Sequence, residues 1–282
     1  MSDKLKVHWY IQPGDVTGNA LGYNTHNKYM MRFTDPFIEK THEAAIALHI
    51  TSAEFFRPIP GKVNVLFTMW EFLDIPPSYV KSFALADALI VPSTFCRDLF
   101  RKYTDKPIYV CHEGVDKDLF KYHSRRPPAV TNGEKFRFLW LGASNPRKGY
   151  PLVLEAIKVF EQYPHLEIYL KTTMPKLTWK DAFKKWWEHR KNIMYDGKKR
   201  LAISRIFRRL PKPIMSNQVT VMGKHKNIIF DTRKLSTDDL IKLYQSTHCF
   251  LFPTLGEGWG LPLSEAMATG CPCIATPVTG CR

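Results

Sequence analysis

Apolar runs too short to be core helices recur along this chain, separated for the most part by amphipathic or turn-rich stretches. In the first half the runs are KVHWYI (6–11), AIALHI (45–50), NVLFTMW (64–70), DALIVP (87–92) and PIYVCH (107–112). Between the last two, STFCRDLFRKY (93–103) offers Ser93 as an N-cap ahead of an apolar face at Phe95, Leu99 and Phe100. Continuous apolar strands that alternate with helices predict parallel sheets with crossover connections, an α/β architecture.

The pattern pauses at KYHSRRPPAVTNGEK (121–135), which has no periodicity and holds Pro-Pro and Asn-Gly, and then begins again. FRFLWLG (136–142) reads as a buried strand, SNPRKG (144–149) as a loop, and YPLVLEAIKVFEQY (150–163) as a helix with Pro151 near its start. LEIYLKT (166–172), NIIFD and CFLFPT read as strands, STDDLIKLYQST as a helix capped by Ser236, and CPCIATP as a closing strand. The expected organisation is a domain over 1–120, a linker over 121–135 and a second domain over 136–282 with a basic helical insertion at 173–224. Doubly wound domains normally continue with further covering helices, so the sequence reads as lacking its C-terminal part.

Charge sharpens this division. The formal net charge is +15, and residues 171–226 hold 16 Lys and Arg against 3 Asp and Glu, so one segment carries nearly all of it. Within it, Trp179, Phe183 and Trp186 or Trp187 fall at helical spacing among lysines and arginines, as do Ile203, Phe207 and Leu210. A basic amphipathic helix with tryptophans suits an anionic membrane surface, so residues 177–215 are a candidate membrane contact. Packing on the same domain, self-association and nucleic-acid contact are the alternatives, although no recognised nucleic-acid module is present. No run approaches the ~18 apolar residues of a membrane span. The start, MSDKLKVHWYIQ, has no signal-peptide core, and the six cysteines are scattered. These features predict a cytoplasmic protein with reduced thiols, peripheral to the membrane if the basic segment docks there, and the lone CPC predicts no zinc site.

The most informative short stretch is GEGWGLPLSEAMATG (256–270), which follows the strand CFLFPT. Ligands of open α/β sheets lie beyond the carboxyl ends of the strands. Gly256, Gly258 and Gly260 permit close backbone approach, and Pro262 suits a first helical position, so the amides from Trp259 through Leu261 to Ser264 would form an anion site. Glu257 on the loop and Glu265 in the helix's first turn are poor phosphate ligands but good acceptors for paired sugar hydroxyls. A phosphate site flanked by two such acceptors describes a pocket for a nucleotide linked to a sugar.

EGWGLPLSE resembles the E-x7-E signature of the retaining glycosyltransferases of family 4, enzymes of the GT-B fold with two Rossmann-like domains facing a cleft. FLWLGASNPRKGYPLVLEAI is similar to that family's strand, Arg/Lys loop and helix. CHEGVDKDLF (111–120) resembles its crossover, and TMWEFLDIPPSYV and ALIVPSTFCRDLF its first domain. The resemblance implies a metal-independent, cofactor-free transfer of a sugar from a UDP-, GDP- or ADP-sugar to a hydroxyl acceptor, with retention. Arg147 and Lys148 would neutralise the departing diphosphate, Glu257 would face the transferred sugar, and Glu265 would hold the ribose hydroxyls; Gly258, Trp259, Gly260 and Leu261 would line the donor. Many members carry a histidine where this chain has Thr68 and Met69, while a subset shows a Trp-Glu pair like Trp70 and Glu71, which assigns Glu71 to the acceptor. Gly14, Gly18 and Gly22 would border the acceptor cleft. They form no GxGxxG, which disfavours a dinucleotide enzyme. The alternative is a non-catalytic or truncated module of this kind that binds anionic membrane or nucleic acid through its basic insertion.

Overall fold

The computed structural model describes residues 45–129, 132–172 and 217–282. The chain forms two compact units, 1–112 and 113–282, with residues 121–129 in the second. Strand KVHWYI, Gly14, Gly18, Gly22 and the candidate membrane helix at 177–215 lie outside the described residues.

Among its described residues, the first unit holds four parallel strands, β1 (Ile46–Ile50), β2 (Val63–Phe67), β3 (Ala88–Val91) and β4 (Ile108–Val110), adjacent in chain order. Two helices, α1 (Pro77–Leu85) and α2 (Thr94–Phe100), contribute to its core. That core joins Leu66, Leu89, Val91 and Ile108 of the strands to Tyr79 and Phe83 of α1 and Cys96, Leu99 and Phe100 of α2. Spacings of three and four residues place these side chains on one helix face. Helix α2 begins where expected, with the Ser93 hydroxyl accepting the Cys96 amide at 3.3 Å. Helix α1, to which the sequence reading assigned no element, begins at Pro77, a residue suited to the helix start. Asn64 is buried in β2 and saturated, donating to the Ile59 and Lys62 carbonyls and accepting from the Ile59 amide.

In the second unit, the six strands among the described residues are β5 (Phe136–Leu141), β6 (Leu166–Lys171), β7 (Val219–Met222), β8 (Ile228–Asp231), β9 (Cys249–Phe252) and β10 (Cys273–Ala275). Their order is β10-β9-β5-β6-β8-β7, parallel except for β7. Strand β7 corrects one expectation: residues 219–222, assigned to the helical insertion, are an antiparallel edge strand joined to β8 through Gly223 (φ 85°) and Lys226 (φ 51°). Val219 and Val221 are exposed on it, so its alternation is masked by the surrounding charge.

Among the described residues, three helices join this unit: α3 (Tyr150–Phe160), α4 (Thr237–Gln245) and α5 (Leu261–Ala268). Trp140 and Leu139 are consecutive on β5 and therefore point to opposite faces. Trp140 joins Val153, Ile157 and Phe160 of α3, whereas Leu139 joins Leu243 and Tyr244 of α4 and Ala266 of α5. Two separate cores on one sheet make the unit doubly wound. Among the described residues, no helix is long and apolar enough to cross a membrane.

Arg125, within the stretch 121–135 expected as a linker, ties that stretch onto this unit. Its guanidinium donates to the carbonyls of Tyr244 (2.9 Å), Thr247 (2.9 Å), Thr269 (2.6 Å) and His123 (3.0 Å), and to the Thr269 hydroxyl (3.0 Å). Tyr244, Thr247 and Thr269 lie at the C-terminal ends of α4 and α5, where carbonyls lack helical partners and a cation is favoured. Arg125→Met is expected to lower unfolding free energy by about 2–4 kcal/mol, from hydrogen bonds to a charged group that are lost together. A urea midpoint unchanged from wild type would show that the clasp adds nothing.

Candidate functional site at the β5 and β9 strand ends

Strand order reverses between β5 and β9: the chain moves outward through β6 and β8 on one side and through β10 on the other. Connections leave β5 and β9 in opposite directions there, opening a crevice at the carboxyl edge of the sheet. The loop after β5 carries Arg147 and Lys148, and the loop after β9 carries Glu257.

Lys148 Nζ donates to both carboxylate oxygens of Glu257, at 2.7 and 2.9 Å. Arg147 Nη1 lies 3.3 Å from Glu257 Oε2 and donates to the Gly256 carbonyl at 2.8 Å. The Thr254 hydroxyl reaches Glu257 Oε1 at 2.9 Å. Glu257 is buried, its side chain 7% exposed against 18% for Lys148 and 23% for Arg147. A carboxylate this enclosed requires such partners, since burying an unpaired charge is prohibitive.

Local sequence builds both loops for this meeting. Asn145 Oδ1 accepts the Lys148 amide at 3.0 Å, tightening the turn, and the Trp140 indole donates to the Lys148 carbonyl at 3.1 Å. Gly149 sits at φ 71°, and a Cβ there would fall 1.9 Å from the Pro253 carbonyl oxygen, so only glycine lets α3 start against the exit of β9. The Arg147 carbonyl accepts the Leu255 amide at 2.7 Å, which joins the loops through backbone as well as side chains. On the far side, the Glu257 amide donates to the Thr279 hydroxyl at 2.8 Å, and its carbonyl accepts from that hydroxyl and from the Gly280 amide at 2.9 Å each. Gly280 packs so closely that a Cβ would fall 2.1 Å from the Gly258 carbonyl oxygen.

Gly258 is buried and Trp259 half-buried on the same loop, Gly260 caps α5 at φ 103°, and Leu261 is its first residue. Pro262 is therefore second, and Glu265 is the fifth residue of α5, beyond the first turn where the sequence reading put it. Its half-buried carboxylate accepts from the phenol of Tyr244 on α4 at 2.9 Å. Burial pushes its pKa up to about 7, with the Tyr244 hydrogen bond acting in the opposite direction. The structure thus brings Arg147, Lys148 and Glu257 into direct contact and gives Glu265 a separate partner. Glu71 belongs to the first unit, on the loop that follows β2.

A second constellation at the strand ends was missed. Asp231, at the end of β8, is fully buried and accepts from the Arg233 amide (2.9 Å), from Arg233 Nε and Nη2 (3.0 and 2.9 Å) and from Tyr169 of β6 (2.6 Å). Burial pushes its pKa up, but these donors outweigh burial and hold it at about 2. Lys171 of β6, buried beside it, donates to the Asp231 and Arg233 carbonyls, and burial lowers its pKa. Asp231 and Arg233 flank a single residue in sequence, a spacing that looks like any turn. Thr254, Thr279 and Tyr244 were likewise invisible as site residues because their roles depend on which loop or helix they meet.

Residues 205–282, which include both Glu257 and Glu265, match the family model Glycosyl transferases group 1. Over 57 residues the chain is 40% identical to the serotype-specific mannosyltransferase WbdA of Escherichia coli, a match covering 20% of this chain and 7% of that protein's length. Among solved structures it resembles the sucrose-phosphate synthase of Thermosynechococcus elongatus (TM-score 0.55, 16% identity, 96% of this chain and 63% of that one). It also resembles Anabaena HepE, solved in complex with UDP and glucose (TM-score 0.51, 15% identity, 78% of this chain and 54% of that one). The fold is the GT-B fold of glycosyltransferases. Within that fold, the Arg147–Lys148–Glu257 cluster lies wholly in the second unit.

Glu265 makes stability depend on pH. Its folded-state value of about 7 lies above the ordinary 4.5, so the stabilising protonated form is fully present below about pH 4.5 and its contribution is lost as pH rises to about 7. Glu265→Gln is expected to abolish that decline, raising stability at pH 8 by on the order of 2 kcal/mol relative to wild type. Thermal unfolding at several pH values tests this, and an undiminished decline in the variant would contradict it.

Proposed function

We propose that the chain carries out retaining glycosyl transfer as a metal-independent enzyme similar to family 4, moving a sugar from a nucleoside-diphosphate sugar to a hydroxyl acceptor. The observation that carries this reading is the meeting of Arg147, Lys148 and Glu257 at the strand-order reversal of a GT-B fold. Its support is the group 1 match over the segment holding both glutamates of EGWGLPLSE.

In this reading the bond between the sugar's anomeric carbon and the diphosphate oxygen breaks with its electron pair going to the diphosphate. Arg147 and Lys148 neutralise that developing charge, Arg as a fork and Lys as a point charge. The acceptor hydroxyl attacks the same face of the anomeric carbon, and its proton passes to the departing diphosphate oxygen. No covalent nucleophile is assigned. Glu257 faces the transferred sugar and, as a carboxylate, offsets positive charge at the anomeric carbon. Through its contact with Lys148 and Arg147, the loop that faces the sugar also orients the cations for the phosphate.

Glu265 accepts the ribose hydroxyls, while Gly258, Trp259, Gly260 and Leu261 line the donor. Glu71, and Gly18 and Gly22, which lie outside the described residues, are assigned to the acceptor side. A cytoplasmic location and contact of residues 177–215 with anionic membrane complete the proposal.

Arg147→Ala and Glu257→Gln are each expected to reduce kcat/KM for transfer or donor hydrolysis by roughly a hundredfold, about 3 kcal/mol of transition-state stabilisation. The measurement is a screen of UDP-, GDP- and ADP-sugars followed by kinetics of the folded variants. Wild-type rates in both variants would overturn the assigned roles.

A further inference from the structure

Tyr244 is fully buried on α4, held edge-on between Phe120 (6.2 Å between ring centroids) and Phe250 (5.8 Å). Its backbone carbonyl is bound by Arg125. Ring and backbone are therefore fixed, and the phenol's position is set by packing rather than by its hydrogen bond. That phenol donates to Oε2 of Glu265 on α5. Buried tyrosine hydroxyls need a partner, but a backbone carbonyl would serve that need without burying an acid.

The acid, by contrast, is undersupplied. An ionised carboxylate offers about four acceptor sites. Among the described residues, Tyr244 is the one side chain hydrogen-bonded to Glu265. Glu257, one helical segment away in the chain, has its carboxylate occupied by Lys148, Arg147 and Thr254. The two glutamates of the same motif are thus built oppositely. One is held on both oxygens by cations and a hydroxyl of the protein, and the other keeps acceptor capacity for hydroxyl donors while one oxygen is pinned.

We propose that Tyr244 is a positioning residue for nucleotide binding: its rigid phenol fixes the Glu265 carboxylate so that the remaining acceptor sites receive two adjacent hydroxyls of a ribose. This rests on the reading of Glu265 as the ribose-contacting group and adds to it the residue that orients it. The groups that surround the pair are few. Tyr244 faces Glu265 from α4, and the Cys271 and Cys273 thiols and the Arg125 guanidinium stand near Tyr244 from the segments around it. Tyr244 is the hydrogen-bond donor that favours the ionised acid, so its loss shifts Glu265 toward the protonated form, which accepts hydroxyl protons poorly.

The test is calorimetric titration of the full chain with UDP, GDP and ADP from about pH 5.5 to about pH 8.5, a range bracketing the Glu265 transition. Wild type, Tyr244→Phe, Glu265→Gln and a chain with 3-fluorotyrosine at position 244 alone are compared. Wild-type affinity is expected to fall as pH drops through about 7. Tyr244→Phe should bind roughly tenfold more weakly at neutral pH, the loss of one hydrogen bond to a charged group, with its transition moved to higher pH. Fluorotyrosine, a stronger donor of the same shape, should move the transition to lower pH, and it carries the test if the phenylalanine variant does not fold. Transitions identical to wild type in both, with Glu265→Gln still defective, would overturn the positioning role and leave the ribose reading standing. Undiminished binding by Glu265→Gln, or no binding of any of the three by wild type, would overturn the ribose reading and this inference with it.

Discussion

The proposed chemistry of transfer depends on one buried ion cluster. Lys148 and Arg147, from the loop after β5, share the carboxylate of Glu257, from the loop after β9. Buried ion pairs add little net stability, because desolvation cancels much of the attraction. Removing one partner is costly, however, so the cluster ties the two loops to a single relative position. The backbone bond from Leu255 to Arg147, the Thr254 hydroxyl and the close approach of Gly149 to Pro253 enforce the same position without charge. Cations held this way need no reorganisation when an anion arrives, which is the condition for strong electrostatic catalysis.

Topology explains why the cluster sits where it does. Leu139 and Trp140 anchor β5 in two opposite cores, and β9 is its neighbour across the reversal. The helices that follow, α3 and α5, both begin at glycines with positive φ, Gly149 and Gly260. Each glycine turns the chain sharply enough for the preceding loop to stay short, and a short loop is what keeps Arg147, Lys148 and Glu257 within hydrogen-bond reach.

Much of this was legible beforehand, for identifiable reasons. Continuous apolar runs such as FRFLWLG and CFLFPT encode buried parallel strands directly, and Ser93 and Ser236 mark helix starts by local hydrogen bonding that needs no tertiary context. What could not be read was partnership across the fold. Val219 and Val221 alternate on an exposed edge, so β7 disappeared into a basic stretch. Tyr244 looked like one more apolar residue of an amphipathic helix until its phenol was seen beside Glu265. The position of Glu265 along α5 moved by one residue, because Leu261 and not Pro262 is the helix's first residue.

The proposed transfer requires the strand-order reversal of the second unit to be the phosphate site. A crystal structure of the chain with a bound nucleoside diphosphate tests this most directly. The account predicts electron density for the diphosphate beside Arg147 and Lys148, beyond the carboxyl ends of β5 and β9. A well-ordered diphosphate elsewhere on the molecule, with the ion cluster undisturbed, would contradict it.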